Sequence, residues 1–311
     1  MRNDRFDSFS DGVGNSGFGL AHQGHQLDLR VSLPMSTDKL VGVDLTHVIH
    51  TNEVADAKGG NGGGGGGHGG GGGGGGGGGT SFDPYTAGPS DGSDGYNITI
   101  TFSGTWTQAL HDVFVTAADR LVDLIVGEIP DVTVYGGKGG PKTIDDILIS
   151  AELGNIDGLY GILGQAGPTS VRTASSLPAT AQMKFDIVDV NDMGNDVFSQ
   201  VVLHEMSHSL GFGSIWDRLG LVSDGEFTGA NATSAYHDMG GSGLIAVEQD
   251  GGAGTAGSHW DEESYGNELM TGYINDGPNY YSAMSAASFA DLGYVTTGDF
   301  DGWADSGYVL A

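Results

Sequence analysis

Between residues 97 and 210 the spacing of apolar positions changes several times, and each change marks an element. Asn97 to Phe102 alternates, with Ile98, Ile100 and Phe102 on one side, which is the two-residue period of a half-buried strand. From Thr107 to Ile129 the period lengthens: Leu110, Phe114, Ala117, Ala118, Leu121, Leu124 and Ile125 recur three and four residues apart and predict a long amphipathic helix. Asp131 to Tyr135 and Ile144 to Ala151 read as strands around a Gly/Pro turn at Gly136 to Pro141. Gly154 to Pro178 shows no period and reads as irregular, Gln182 to Ile187 as another strand, and Asp196 to Leu210 as a second helix with Asp196 as its N-cap. Strands and helices in this irregular order predict an α+β fold with a mixed sheet.

The flanks have a different texture. Residues 1–58 are a polar extension with one apolar-alternating stretch, Lys39 to His50, that predicts one or two strands. Residues 59–95 read as a Gly-rich flexible linker, since Gly59 to Gly79 is broken only by Asn61 and His68. Residues 96–297 form the predicted globular domain, and 298–311 an acidic, aromatic tail that is either a frayed terminus or an uncleaved export signal of the type I kind.

Charge and composition narrow the chemistry. The 311 residues carry 40 Asp and Glu against 11 Lys and Arg, a formal net charge of −29, and no Lys or Arg follows Arg218. Polyanion affinity depends on Lys and Arg, so nucleic acid and anionic membrane are not expected partners. With no cysteine there are no disulfides, thiolate ligands or thiol nucleophiles, and any metal must be held by His, Asp or Glu. No run of 18 apolar residues occurs, so stable membrane insertion is not expected, and Met1 to Leu20 lacks an apolar signal-peptide core. The expectation is a secreted protein without a cleaved N-terminal signal.

The second helix carries the chemistry. His204-Glu205-Met206-Ser207-His208 places two imidazoles four residues apart on one helical face, where both reach a single ion, and sets Glu205 beside it to act as a general base on a water molecule. Gly211 closes the helix as a C-cap. The position six residues after His208, where longer motifs of this kind place a third histidine, is Ser214, so the third ligand comes from further on: His237 or His259.

The run Val201 to Gly213 with Ile215-Trp216, then Ser258-His259-Trp260-Asp261-Glu262, Asn267-Glu268-Leu269-Met270-Thr271-Gly272 and Ser285 to Tyr294, resembles the leishmanolysin-like zinc metallopeptidases, a metzincin branch. Gly161 to Pro168 resembles bacterial members, and the likeness covers about residues 95–297. The resemblance implies a zincin-type fold, a twisted mixed sheet with a loop-rich C-terminal subdomain. It implies zinc held by His204, His208 and His259, Glu205 as catalytic base and acid, Met270 as a Met-turn floor beneath the metal, and a protein or peptide substrate. Eukaryotic leishmanolysins are disulfide-rich and membrane-anchored, so neither trait carries over, and a cysteine cannot cap the zinc here. Inhibition by the N-terminal 90 residues would be steric or would use His47 or His50. The rival function is a non-catalytic adhesion module on a peptidase scaffold. The acidic loop Asp186, Asp189, Asn191, Asp192, Asn195, Asp196 is a candidate calcium site, although Met193 and Gln200 break an EF-hand reading. Tyr273, three residues past Met270, reads as ordinary packing.

Overall fold

The structure, a computed structural model, describes residues 27–28, 81–89, 95–135 and 140–310. The predicted strands at Lys39 to His50, the polyglycine run and His47, His50 and His68 lie outside these residues.

Five strands form the main sheet: β1 (Tyr85–Ala87), β2 (Ile98–Ser103), β3 (Ile147–Gly154), β4 (Gly164–Val171) and β5 (Pro178–Asp186), in the order β1-β2-β3-β5-β4. The centre is parallel, β2 on β3 on β5, while β1 and β4 run antiparallel at the two edges. Ile98 and Ile100 of β2 and Ile147, Ile149 and Ala151 of β3 are buried, and β2 turns its threonines outward as the alternation requires. Two helices, α1 (Gln108–Leu124) and α2 (Ile187–Ser209), pack against the sheet and each other. Phe185 of β5 seals this contact, its ring 5.5 Å from Phe114 of α1 and 5.3 Å from Phe198 of α2.

Three expectations are corrected here. The helix predicted to reach Ile129 ends at Leu124, because Ile125 leaves it to bridge to Thr296, and a Cβ on Gly127 would stand 2.4 Å from Val295. The stretch read as irregular contains the edge strand β4, hidden from periodicity because Gly164, Ala166 and Gly167 offer little apolar contrast. Ordered structure also begins ahead of residue 96, since β1 lies within the stretch read as linker and Ala87 is buried in the core.

The helix carrying the motif starts earlier than predicted, at Ile187, but breaks at Gly194, whose φ of 75° and ψ of 164° are not helical. The segment beyond Gly194 is the predicted helix. The segment ahead of Gly194 is capped by Asp186: its Oδ1 accepts from Val188 N–H at 2.8 Å, and its Oδ2 accepts from the N–H groups of Ile156, Asp157 and Gly158 at 2.6, 3.0 and 3.0 Å. Those four donors hold its carboxyl below the usual range despite burial. An acid surrounded by donors is unsuited to a cation, and no metal-ligating group of three converges in this loop among the described residues. The calcium expectation is therefore unsupported.

The C-terminal half is loop-rich, with two longer helices, α3 (Ala230–Asp238) and α4 (Ala283–Leu292), packed together. Asp291 of α4 accepts from the N–H groups of Asn231 and Ala232, closing the start of α3. The fully buried rings of Phe212, Trp216, Phe227 and Trp260 form an aromatic core, with Trp260 4.8 to 5.2 Å from the other three. Leu27–Asp28 pairs antiparallel with Tyr273–Ile274. The tail is docked rather than frayed: Arg120 of α1 lies 4.4 Å over the Trp303 ring and 2.9 Å from Asp305, and the Trp303 indole donates to the Arg120 carbonyl.

Candidate metal centre

His204 and His208 lie one turn apart on α2 and are buried, as is His259. Their Nε2 atoms form a triangle with edges of 2.8 Å (His204–His208), 3.1 Å (His208–His259) and 3.2 Å (His204–His259). Three donors of a tetrahedral ion at about 2.0–2.1 Å would stand roughly 3.3 Å apart, so the triangle is slightly contracted but of the right size. Each Nδ1 faces a backbone carbonyl: Leu269 at 2.7 Å from His204, Phe212 at 2.9 Å from His208 and Thr255 at 3.0 Å from His259. A carbonyl only accepts, so each Nδ1 carries the proton and each Nε2 presents a lone pair to the shared point. Three neutral imidazoles with fixed tautomers suit zinc.

Burial keeps the rings neutral. It pushes His204 and His208 well below the usual imidazole range, with the neighbouring rings adding to the effect, and lowers His259 to about 4. Two groupings of potential ligands occur among the described residues, and the other, Glu128 with Asp131 and Asp145, is exposed. His237 sits on α3, exposed and 2.7 Å from the Gly243 carbonyl, away from the triangle. Of the two histidines left open by spacing, the structure brings in His259.

The segment bearing His259 reaches α2 through close backbone contact. Gly213 has a φ of 63°, and a Cβ there would lie 1.9 Å from the Ser258 carbonyl oxygen, so the turn after α2 needs glycine both for its backbone angle and for space.

Glu205 is fully buried, and neither of its carboxylate oxygens has a hydrogen-bond partner among the described residues. Burial pushes its carboxyl well above the ordinary range. An unpaired buried carboxyl is costly in a finished core. Gly164, the first residue of β4, makes room for it, since a Cβ at 164 would meet Glu205 Oε1 at 2.8 Å. Met270 is buried, its N–H donating to the Glu268 carboxylate and its carbonyl accepting from Trp260 N–H at 3.1 Å. Glu268 and Gly164 were not singled out from spacing. For Glu268 the available signal is a lone charge beside Leu269 and Met270, which predicts a buried, bonded carboxylate.

A sequence model of the leishmanolysin family matches residues 167–302, a span that holds His204, Glu205, His208, His259 and Met270. The chain is leishmanolysin-like. It is 30% identical over 132 residues to the leishmanolysin of Leishmania donovani, an alignment covering 38% of this chain and 22% of that protein. It is 26% identical over 153 residues to a leishmanolysin homolog of Crithidia fasciculata, covering 43% and 22%. The leishmanolysin of Leishmania major is 30% identical over 132 residues, covering 38% and 22%. The chain thus spans about a fifth of the length of these curated relatives. The family match begins within β4, so β1 to β3 and α1 lie outside it. No helix among the described residues is long and apolar enough to cross a membrane.

Proposed function

We propose that this protein is a zinc metalloendopeptidase, with His204, His208 and His259 as zinc ligands, Glu205 as general base and acid, and Met270 in a Met-turn. The observation that carries the reading is the pairing of three fixed, neutral imidazoles on one point with the adjacent, unpartnered carboxyl of Glu205. A zinc ion bound by the three Nε2 atoms would supply Lewis acidity to the scissile carbonyl and acidify a water. Glu205 takes a proton from the attacking water and delivers it to the leaving amine. Its raised affinity for a proton suits it to take one from the water, because a carboxylate at its ordinary pKa is a weaker base. The chain lacks cysteine, and no covalent acyl-enzyme is needed.

Substrates are proteins or peptides, as the family likeness suggests. Replacing Glu205 by Ala tests the assignment. The variant should keep its zinc, measured by elemental analysis, while hydrolysis of a casein substrate falls at least about 10²-fold. Undiminished proteolysis would remove Glu205 from the mechanism. Absence of chelator-sensitive proteolysis in the wild type would favour the non-catalytic adhesion module.

A further inference from the structure

Glu268 is fully buried, and the partners of its carboxylate, Met270, Ser282 and Ser285, all belong to the 268–285 segment. Its Oε2 accepts from Met270 N–H, and its Oε1 accepts from Ser282 N–H at 3.0 Å, from the Ser282 hydroxyl at 2.6 Å and from the Ser285 hydroxyl. Ser282 caps α4 and Ser285 lies in its first turn, so one carboxylate ties the 268–270 turn to the head of that helix. Ser285 Oγ also accepts from the Trp260 indole N–H at 2.7 Å, and Trp260 N–H donates to the Met270 carbonyl at 3.1 Å. The bonds close a ring running from Trp260 through Ser285, Glu268 and Met270 and back to Trp260.

Two ligands of the candidate metal centre hang from this ring. His259 immediately precedes Trp260, and His204 donates its Nδ1–H to the carbonyl of Leu269, the residue between Glu268 and Met270. His208 does not, since its Nδ1 bonds to Phe212 at the end of its own helix. A buried carboxylate with four donors is an expensive device if its only task is to fill space, because an apolar side chain packs a core at lower cost. We propose that Glu268 is a positioning residue for the metal centre, setting the Leu269 carbonyl that orients His204 and the Trp260 backbone that places His259. The proposal rests on the metal-centre reading above. Outer-shell groups of this kind alter metal affinity when removed, because ligands that must find their own orientation bind less tightly.

The variants are Glu268→Ala, the near-isosteric Glu268→Gln, which keeps one acceptor oxygen in place of two, and Ser285→Ala, which opens the ring at one point. Each full-length chain is first checked for folding by circular dichroism and thermal unfolding. Zinc affinity is then measured by competition with a chromophoric chelator, and ligand geometry by the visible absorption of the Co²⁺-substituted protein. The wild type should bind zinc tightly. Glu268→Ala should bind about 10- to 100-fold more weakly with a shifted cobalt spectrum, and the other two should fall between. If Glu268→Ala does not fold, Glu268→Gln and Ser285→Ala carry the comparison. Folded variants with wild-type zinc affinity and an unaltered cobalt spectrum overturn the proposal, even if their melting temperatures drop. A wild type that takes up no zinc overturns the metal-centre reading itself, and this inference with it.

Discussion

Glu205 and Gly164 face each other across the candidate site, one from α2 and one from the start of the edge strand β4. The close approach predicts that Gly164→Ala will displace the Glu205 carboxyl, because the added methyl would meet both Oε1 at 2.8 Å and Cγ at 3.0 Å. Misplacing a catalytic group by about 1 Å can cost about a hundredfold in rate. Gly164→Ala should therefore lose turnover on that scale while keeping its zinc, measured as kcat beside metal content, and wild-type kcat would contradict the contact. At this scale the sequence was most legible where chemistry follows helical spacing. His204, Glu205 and His208 can be read from four-residue geometry alone, whereas His259 needed the family likeness, because spacing left His237 open as well. Gly164 and Glu268 were illegible as site residues, since one acts by lacking a side chain and the other through hydrogen bonds formed only once 260, 270, 282 and 285 meet.

Elements were legible where burial is one-sided and harder to read elsewhere. Strand β2 and the body of α1 follow their apolar period, because each turns one face to the core. Strand β4 does not, since Gly164, Ala166, Gly167 and Pro168 form a strand through pairing with β5 rather than through side-chain pattern. The end of α1 is set by a tertiary pairing with Thr296 that no local signal announces. Beyond that end, Asp146, just before β3, joins the elements by accepting from Asn97 N–H at 2.7 Å and Ile129 N–H at 3.0 Å. Its burial pushes the carboxyl up to about 7, against these two bonds. An unfolded Asp titrates near 3.9, so the native state binds this proton more tightly between about pH 4 and 7. The stability this proton confers is complete at low pH and is lost as pH rises through about 7. Denaturant unfolding of wild type and Asp146→Asn across that window should show the wild type losing ground to the variant as pH rises. A difference independent of pH would contradict it.

Across the whole molecule, the C-terminal half brings His259, the Glu268 ring and α4 to a helix whose base is the sheet. The tail joins the assembly through Arg120, Trp303 and Asp305, which composition could not reveal because an acidic aromatic tail reads equally well as frayed. The net charge of −29 gives no location for the chemistry, since acids are spread along the chain and the centre itself is built from neutral rings. The measurement that bears most directly on this account is the zinc content of the purified full-length chain, read by native mass spectrometry before and after dialysis against a chelator. About one zinc per chain, removed together with proteolysis and restored by added zinc, is the predicted result. A chain that folds, hydrolyses peptide bonds at the same rate after dialysis and carries no zinc would contradict it.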